Sequence, residues 1–245
     1  MSASAPVLII GGTRGTGLLV ARRLASSGRS VRVLARDPGD AQSRLPAHIE
    51  IVRGDLTRPE TLPSAIDGVQ AIILTAGCRS GLPARQTTIR ATEYDGTRHV
   101  IAAAGAAGFG GRLLYMTSSG VILPSLAARA LNIYKGNTLI WRRRAEDEIR
   151  ASGLDYTIIR AGFLLNAKGS VREIVLTQES LPLSLRYRIA RADVAEVFVA
   201  ALDCSSASRT TFEAVWGSGP PGRSITEMLA HLRADRPALA GSPRR

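Results

Sequence analysis

A glycine-rich run directly follows the first apolar segment of the chain, and its spacing is typical of a phosphate-binding loop. Residues 10–17 read IGGTRGTG, between a short β-branched run and an amphipathic stretch. Glycine permits the tight turn, lets the backbone approach a pyrophosphate, and lets the following helix pack on its strand. The free N–H groups at the start of that helix would bind the pyrophosphate. An ordinary glycine-rich turn is the alternative, but the strand–loop–helix context favours a dinucleotide site with contacts from Gly11, Thr13, Arg14, Gly15, Thr16 and Gly17.

An arginine follows the second predicted strand, where an NAD-binding chain of this type carries an acidic residue for the ribose 2′-hydroxyl. Arg36 directly follows the predicted strand residues 31–35. A guanidinium at that place suits a 2′-phosphate through charge-assisted hydrogen bonds. Arg14 in the loop can approach the same phosphate. Asp37 comes next, so a helix N-cap or an ion pair with Arg36 is the competing explanation. The two arginines therefore predict NADP(H) as the cofactor, in preference to NAD(H).

Short β-branched runs alternate along the chain with longer amphipathic or alanine-rich segments. This alternation predicts a parallel sheet with right-handed crossovers and helices on both faces, that is, an α/β fold with a Rossmann-type doubly wound sheet. The predicted strands are residues 7–10, 30–35, 49–52, 69–75, 111–116, 156–160 and 210–215. The predicted helices are residues 16–27, 88–107, 137–151 and 192–202.

The pattern indicates one domain with a small C-terminal substrate-side region. We expect the Rossmann domain to span residues 1–216. Residues 217–245 lose the alternation and form a C-terminal extension that is partly mobile, with a short surface helix over residues 224–232.

Composition excludes several classes of protein. Hydrophobic residues make up 45% of the 245, but no apolar run approaches the roughly 20 residues of a membrane helix. The net charge of +12 is almost entirely arginine, scattered along the chain, and aromatic residues are only 4%, so we expect compositional bias and no nucleic-acid partner. The two cysteines and the absence of a leader-like N-terminus predict a cytoplasmic protein without disulfides. No histidine or cysteine spacing predicts a metal site.

Several motifs together make the sequence similar to the short-chain dehydrogenases/reductases. The resemblance is to their atypical branch of NAD(P)H-binding proteins, which includes NmrA-like regulators and flavin/biliverdin-reductase-like enzymes. It covers residues 6–215 and rests on the glycine loop and residues 31–38, with shorter matches at 54–56, 74–77, 94–97 and 116–119. The most specific stretches are residues 145–160 and 191–195.

The resemblance implies a role for further residues at the ends of the strands. Asp55 and Leu56 would meet the adenine, whereas Arg191 and Asp193 would be structural, with Asp193 capping the helix that contains Val194. The remaining implied cofactor contacts are Thr75, Ala76 and Gly77 at the adenosine ribose and pyrophosphate, Thr117 and Ser118 at the nicotinamide ribose, and Ala161, Gly162 and Phe163 at the nicotinamide amide.

The catalytic signature of the larger superfamily, a Tyr-x-x-x-Lys pair assisted by a serine, is absent from this chain. The lysine position falls on Arg142, which could hold the nicotinamide ribose but cannot donate a proton at neutral pH. The tyrosine position falls on Thr138. The candidate catalytic residues that remain are Ser119, which a turn at a strand end explains equally well, and Tyr134.

The substrate side is the least defined part of the sequence. Ligands bind beyond the carboxyl ends of the strands in such sheets, which places residues 78–85, 120–135 and 164–187 around the cleft. Residues 121–130 are apolar and predict either a lid over an apolar substrate or a helix at a dimer seam. Two functions fit: a reductase of a small carbonyl-, quinone- or flavin-like substrate, or a non-catalytic NADP(H)-binding sensor or scaffold with a protein partner.

Overall fold

The computed structural model describes residues 4–78 and 85–236, and ten strands lie within these ranges. Seven form the parallel sheet predicted from the sequence, and the other three lie between the sixth and the seventh of these along the chain. The strands are β1 (Val7–Ile10), β2 (Val31–Ala35), β3 (Glu50–Arg53), β4 (Ala71–Leu74), β5 (Arg112–Ser118), β6 (Asp155–Ala161), β7 (Phe163–Leu165), β8 (Ile174–Thr177), β9 (Arg188–Ala190) and β10 (Thr210–Trp216).

The main sheet has the strand order β3-β2-β1-β4-β5-β6-β10-β8. All neighbours from β3 to β10 are parallel, and the order reverses between β1 and β4. This is the doubly wound arrangement predicted from the sequence, and the reversal point is where such sheets bind ligands.

Nine α-helices surround the sheet in the described residues. They are α1 (Gly15–Ser26), α2 (Pro38–Gln42), α3 (Pro63–Ile66), α4 (Gln86–Arg90), α5 (Gly96–Ala106), α6 (Leu126–Tyr134), α7 (Thr138–Ala151), α8 (Arg191–Asp203) and α9 (Ile225–Ala230). The single helix predicted over residues 88–107 contains a π-helical turn, Ala91–Asp95, between α4 and α5. Such a turn inserts one extra residue into the helix, which is a common device at functional sites.

Each face of the sheet buries its own hydrophobic core because successive strand residues point to opposite sides. One core packs Val7 and Ile9 of β1 against α1 and α8. The other packs Leu8 and Ile10 of the same strand against α3, α5 and α7. Helices therefore cover both faces of the sheet, and loops form the edge at the carboxyl ends of the strands.

The segment after β6 departs from the all-parallel prediction. β8 pairs antiparallel with β10, with Glu213 opposite Thr177, and forms one edge of the main sheet. β7 and β9 form a separate parallel pair in which Leu164 lies opposite Ile189. The sequence pattern missed both because these strands are only three or four residues long, and β7 and β8 contain no fully buried residue.

Asp193 does not cap α8, contrary to the role implied by the resemblance. Ala190 occupies the N-cap position, and Asp193 lies inside the first turn. Its buried carboxylate accepts hydrogen bonds from Ser170 N at 2.7 Å and Trp216 Nε1 at 2.6 Å. Asp193 thus joins the loop after β7 to the end of β10, so its structural role holds but its partners are different.

The C-terminal extension packs on the domain through α9 and through Asp235. Leu229 of α9 is fully buried in the core beside α8. The Asp235 carboxylate accepts hydrogen bonds from Thr211 N at 3.0 Å, Thr211 Oγ1 at 2.5 Å and the Tyr156 hydroxyl at 3.0 Å. Residues 237–245, which the sequence predicts to be mobile, lie outside the described residues.

Asp235→Ala is expected to lower the free energy of unfolding by about 2–4 kcal/mol, because it leaves the Thr211 N–H and the Tyr156 hydroxyl without their charged acceptor. Asp147→Ala is the matched control. Asp147 and Asp235 both pair with Arg150, but the side chain of Asp147 is 62% exposed. That exposed pair should contribute less than about 1 kcal/mol. Urea denaturation of the two variants measures the difference, and equal losses would contradict the anchoring role of Asp235.

Candidate cofactor-binding site

The glycine loop lies directly against the end of β4. A Cβ atom on Gly11 would stand 2.6 Å from Ala76 N, and φ of Gly11 is +95°. A Cβ atom on Gly17 would collide with the Gly11 carbonyl oxygen and with Thr75 Oγ1. Only glycine satisfies both the backbone conformation and the space at Gly11. The loop and the strand end therefore form one rigid rim beneath the N-terminus of α1.

The N-terminus of α1 is free to bind an anion. Arg14 stands at the N-cap without a side-chain hydrogen bond to the first turn, and that turn contains no acidic residue. The first N–H groups of a helix have no partner within the helix, and their dipoles favour negative charge. Thr16 Oγ1 is buried and has no hydrogen-bond partner among the described residues. These unpartnered donors fit a pyrophosphate.

The two arginines predicted to recognise a 2′-phosphate are both solvent-accessible. Arg14 donates to Asp40 Oδ2 at 3.3 Å, with half of its side chain exposed. Arg36 is exposed and makes no ion pair with any described residue. Asp37 caps α2 by accepting from Gly39 N at 3.0 Å. The competing explanation is therefore right for Asp37 as a cap, but it leaves the guanidinium of Arg36 available.

Asp55 and Leu56, implied at the adenine, follow β3 at the same edge of the sheet. Asp55 Oδ1 accepts from Thr57 N and Thr57 Oγ1, both at 2.9 Å, whereas Oδ2 has no partner among the described residues. Leu56 packs closely on Gly96, where a Cβ atom would collide with it. One carboxylate oxygen thus fixes a turn and the other is left for a ligand.

Near the end of β5, where the resemblance implies the nicotinamide ribose, Thr117 combines burial with a hydroxyl that has no partner among the described residues. It is 2% exposed, and its Oγ1 has no hydrogen-bond partner among the described residues. Ser118 Oγ donates to Ser119 O at 3.0 Å. After β6, Ala161 and Gly162 are buried, and the side chain of Phe163 is 45% exposed. The predicted residues Thr117 and Phe163 therefore supply a free hydroxyl and an exposed ring.

Arg142, at the superfamily's lysine position, is held by a buried carboxylate that the sequence analysis missed. Glu93, in the π-helical turn, accepts from Arg142 Nε at 3.2 Å and Nη2 at 3.1 Å, and also from Thr138 Oγ1. Burial opposes ionisation of Glu93, but Arg142 and Thr138 outweigh it and lower the pKa of Glu93. A Cβ atom on Gly77 would lie 3.0 Å from Arg142 Nη2, so the guanidinium borders the end of β4.

The two candidate catalytic residues lie in opposite environments. Ser119 is fully buried, and its Oγ donates to Glu213 Oε2 at 2.6 Å. Tyr134 is 61% exposed at the end of α6. Lys135 follows it, and burial and the charge of Arg142 lower its pKa, partly offset by Glu93. Ser119 in this position supports its reading as a turn residue at a strand end.

Glu213 of β10 is a buried carboxyl group that connects residues from three parts of the chain. Besides Ser119, it accepts from Leu181 N at 3.3 Å, and Arg160 Nη1 lies 3.8 Å from its Oε1. Burial raises the pKa of Glu213 to about 7, although the hydrogen bonds of Ser119 and Leu181 N lower it. No sequence motif marked this residue, because in sequence it is one acid within an apolar strand.

The comparisons with known proteins identify the family. The model of a family described as NAD(P)H-binding matches residues 11–205. The chain belongs to this NAD(P)H-binding family. Sanguinarine reductase from Eschscholzia californica is 32% identical, in an alignment that covers 88% of this chain and 90% of that protein. The resemblance to atypical short-chain dehydrogenases/reductases is thereby confirmed.

Several solved structures match the fold of this chain along most of its length. A Bacillus halodurans protein assigned to the NAD-dependent epimerases/dehydratases superposes with a TM-score of 0.75 at 23% identity, covering 92% of this chain and 98% of its own. ChuY, an anaerobilin reductase from Escherichia coli O157:H7, gives a TM-score of 0.71 at 24% identity, with 89% and 100% covered. At these identities the likeness concerns the fold.

Residues 4–78 and 85–236 contain neither a membrane-spanning helix nor a metal-binding cluster. None of the helices there has the length and apolar character needed to cross a bilayer. No group of three or more histidine, cysteine, aspartate or glutamate side chains there is arranged to hold a metal ion.

Glu213→Gln is expected to change how stability depends on pH. Because folding raises the pKa of Glu213 from 4.5 to about 7, the native state holds this proton more tightly than the unfolded chain. The contribution is complete below about pH 4.5 and is lost as pH rises through about 7, with a total of about 3 kcal/mol. Glutamine does not titrate, so the free energy of unfolding of the wild type should fall relative to Glu213→Gln over this window.

Urea denaturation of both proteins at pH 5 and pH 8 measures this difference. A constant difference between the two proteins would contradict the raised pKa. Ser119→Ala provides a second test, since it removes a hydrogen bond that lowers the pKa of Glu213. It should move the window to higher pH.

Proposed function

We propose that this protein is an NADP(H)-dependent reductase of a small, apolar carbonyl-, quinone- or flavin-like substrate. One observation carries the substrate class: every large hydrophobic side chain that is exposed in the described residues lies between Leu123 and Leu185. Nearly all belong to the segments that follow β5 and β6, at the edge where a bound nicotinamide would end. They are Leu123, Leu126, Ile133, Tyr134, Ile140, Phe163, Val171 and Leu185.

Exposed apolar surface at one edge of the sheet favours an apolar ligand or partner there, because monomeric proteins rarely leave such side chains grouped in water. Reduction is supported by the relative named sanguinarine reductase, which this chain matches over nearly its full length. The chain's own residues would bind and orient the two reactants beside each other, and positioning of this kind is a large part of catalysis.

The choice of NADP(H) is supported by Arg36 and Arg14. When bound, NADPH would supply the hydride. Backbone N–H groups of residues 15–17 would hold its pyrophosphate, Asp55 its adenine, and Thr117 and Arg142 its nicotinamide ribose. Arg142 is oriented for this by Glu93. In a chain without a Tyr-x-x-x-Lys pair, the proton would come from solvent or from Tyr134, which is exposed at the end of α6.

Arg36→Ala is expected to weaken NADPH binding roughly 10- to 100-fold and to leave NADH binding within about twofold, because only NADPH carries the 2′-phosphate. Arg29→Ala is the matched control, since Arg29 precedes the other end of β2 and pairs with Asp203. Isothermal titration with both dinucleotides measures these constants. Equal losses for NADPH and NADH, or no loss for either, would contradict the assignment of the 2′-phosphate site.

A non-catalytic NADP(H)-binding sensor or scaffold is the second candidate. It is favoured by the missing Tyr-x-x-x-Lys pair and by Ser119, whose hydroxyl is committed to Glu213. A groove of about 440 Å³ between α6 and α7, lined in part by Val121, Arg129 and Arg143, offers a surface for a protein partner or a second copy of the chain. We propose a homodimer or a protein partner at this surface, and a cytoplasmic location.

Oxidation of NADPH separates the two candidates. Purified protein is mixed with NADPH and a panel of quinones, flavins and enones, and the absorbance of NADPH is followed. The reductase should oxidise NADPH with at least one apolar acceptor, and Tyr134→Phe should slow that turnover without changing the dissociation constant of NADPH. Tight NADPH binding with no oxidation across the panel would favour the sensor or scaffold.

A further inference from the structure

Arg191 lies between the glycine loop and the substrate-side strand β7. It is the first residue of α8 and directly follows β9, the partner strand of β7. Its Nη1 donates to Leu164 O at 3.2 Å and to Asn166 Oδ1 at 2.8 Å. A Cβ atom on Gly15 would stand 3.8 Å from Arg191 Nε, so the guanidinium lies beside the first residue of α1.

The charge of Arg191 is not neutralised by an acid of this chain. Both of its hydrogen-bond acceptors are neutral oxygens, and it forms no ion pair with any residue in the described ranges. The acid nearest in sequence, Asp193, is fully buried and bound to Ser170 N and Trp216 Nε1. The first turn of α1 contributes no acid. A full positive charge therefore stands beside the free N–H groups that fit a pyrophosphate.

The hydrogen bonds of Arg191 place it at one half of that pyrophosphate. Leu164 and Asn166 follow Ala161–Phe163, the residues implied at the nicotinamide amide. Arg14 and Arg36, the residues implied at the adenosine 2′-phosphate, lie instead beside α2. Arg191 thus approaches the loop from the nicotinamide side.

We propose that Arg191 binds the nicotinamide-side phosphate of the dinucleotide and, through Leu164 and Asn166, ties β7 to the bound cofactor. This inference rests on the proposed function, since it assumes that a dinucleotide occupies the glycine loop. A guanidinium supplies charge-assisted hydrogen bonds to phosphate oxygens, which are about twice as strong as neutral ones. Arg191 is therefore a cofactor-binding residue as well as a support of the substrate-side segment.

The position of Arg191 predicts a pattern of affinities that differs from that of Arg36. Arg191 should contribute equally to NADPH and NADH, because both carry the nicotinamide-side phosphate. It should contribute nothing to adenosine 2′,5′-bisphosphate, which lacks that phosphate but keeps the adenosine and its 2′-phosphate. A purely structural arginine at this place would affect all three ligands or none of them.

The test is isothermal titration of wild type, Arg191→Ala and Arg191→Gln with NADPH, NADH and adenosine 2′,5′-bisphosphate. Arg191→Gln keeps a neutral donor for Leu164 O and removes the charge. Both variants should bind NADPH and NADH about tenfold more weakly or worse, and adenosine 2′,5′-bisphosphate within about twofold of wild type. Arg23→Ala is the matched control, because Arg23 joins α1 to Glu196 of α8 away from the loop. It should change none of the constants.

Unchanged NADPH and NADH affinities in both variants would overturn this inference alone. Equal loss of all three ligands in the glutamine variant would also overturn it, in favour of a structural role. If the wild type itself bound neither dinucleotide, the proposed function would fail first and this inference with it. The wild-type titration therefore separates the two failures.

Discussion

The close contact between the glycine loop and the end of β4 is the constraint on which the site depends. β1 and β4 are adjacent parallel strands, with Ile10 opposite Leu74, and Thr75 N continues the ladder by donating to Ile10 O at 2.9 Å. Beyond this point Gly11 and Gly17 allow the loop to lie on Thr75 and Ala76 without side chains between them. The N-terminus of α1 is thereby fixed at the point where the strand order reverses. The candidate cofactor contacts are arranged around that position.

Buried ionic contacts hold the other half of the site. Glu146 of α7 accepts from Arg160 Nε at 3.0 Å, and both side chains are buried. Glu93 holds Arg142, which lies one turn before Glu146 on α7, in the same way. A buried ion pair contributes little net stability, but removing one partner costs several kcal/mol. We interpret these pairs as fixing the position of α7 against β5 and β6, and with it the edge where a substrate would meet the cofactor.

The sequence was sufficient for the parallel sheet because its central strands, such as β1 and β4, are buried apolar runs between clear helix patterns. The glycine loop and Arg36 could also be identified from the sequence, since the backbone conformation of Gly11 and a charge after β2 are local properties. The structure added what depends on distant residues. β8 pairs antiparallel with β10, Asp193 accepts hydrogen bonds from Ser170 and Trp216, and Glu213 is buried and bonded to Ser119. No local pattern marks any of these three.

Arg191 illustrates the same difference in scale. The resemblance at residues 191–195 implies a structural role for Arg191. Its hydrogen bonds to Leu164 and Asn166 agree with that role. Its approach to Gly15 results from the packing of α1 beside α8, two helices separated by most of the chain. Only the folded structure brings this charge to the loop, and a second role follows from that contact.

The most direct test of the account is a crystal structure of the protein soaked or grown with NADPH. We predict the pyrophosphate on the N–H groups of residues 15–17, the 2′-phosphate between the guanidinium groups of Arg14 and Arg36, and the nicotinamide between Thr117 and Phe163. A dinucleotide bound away from the glycine loop, or one whose 2′-phosphate contacts neither arginine, would contradict the account.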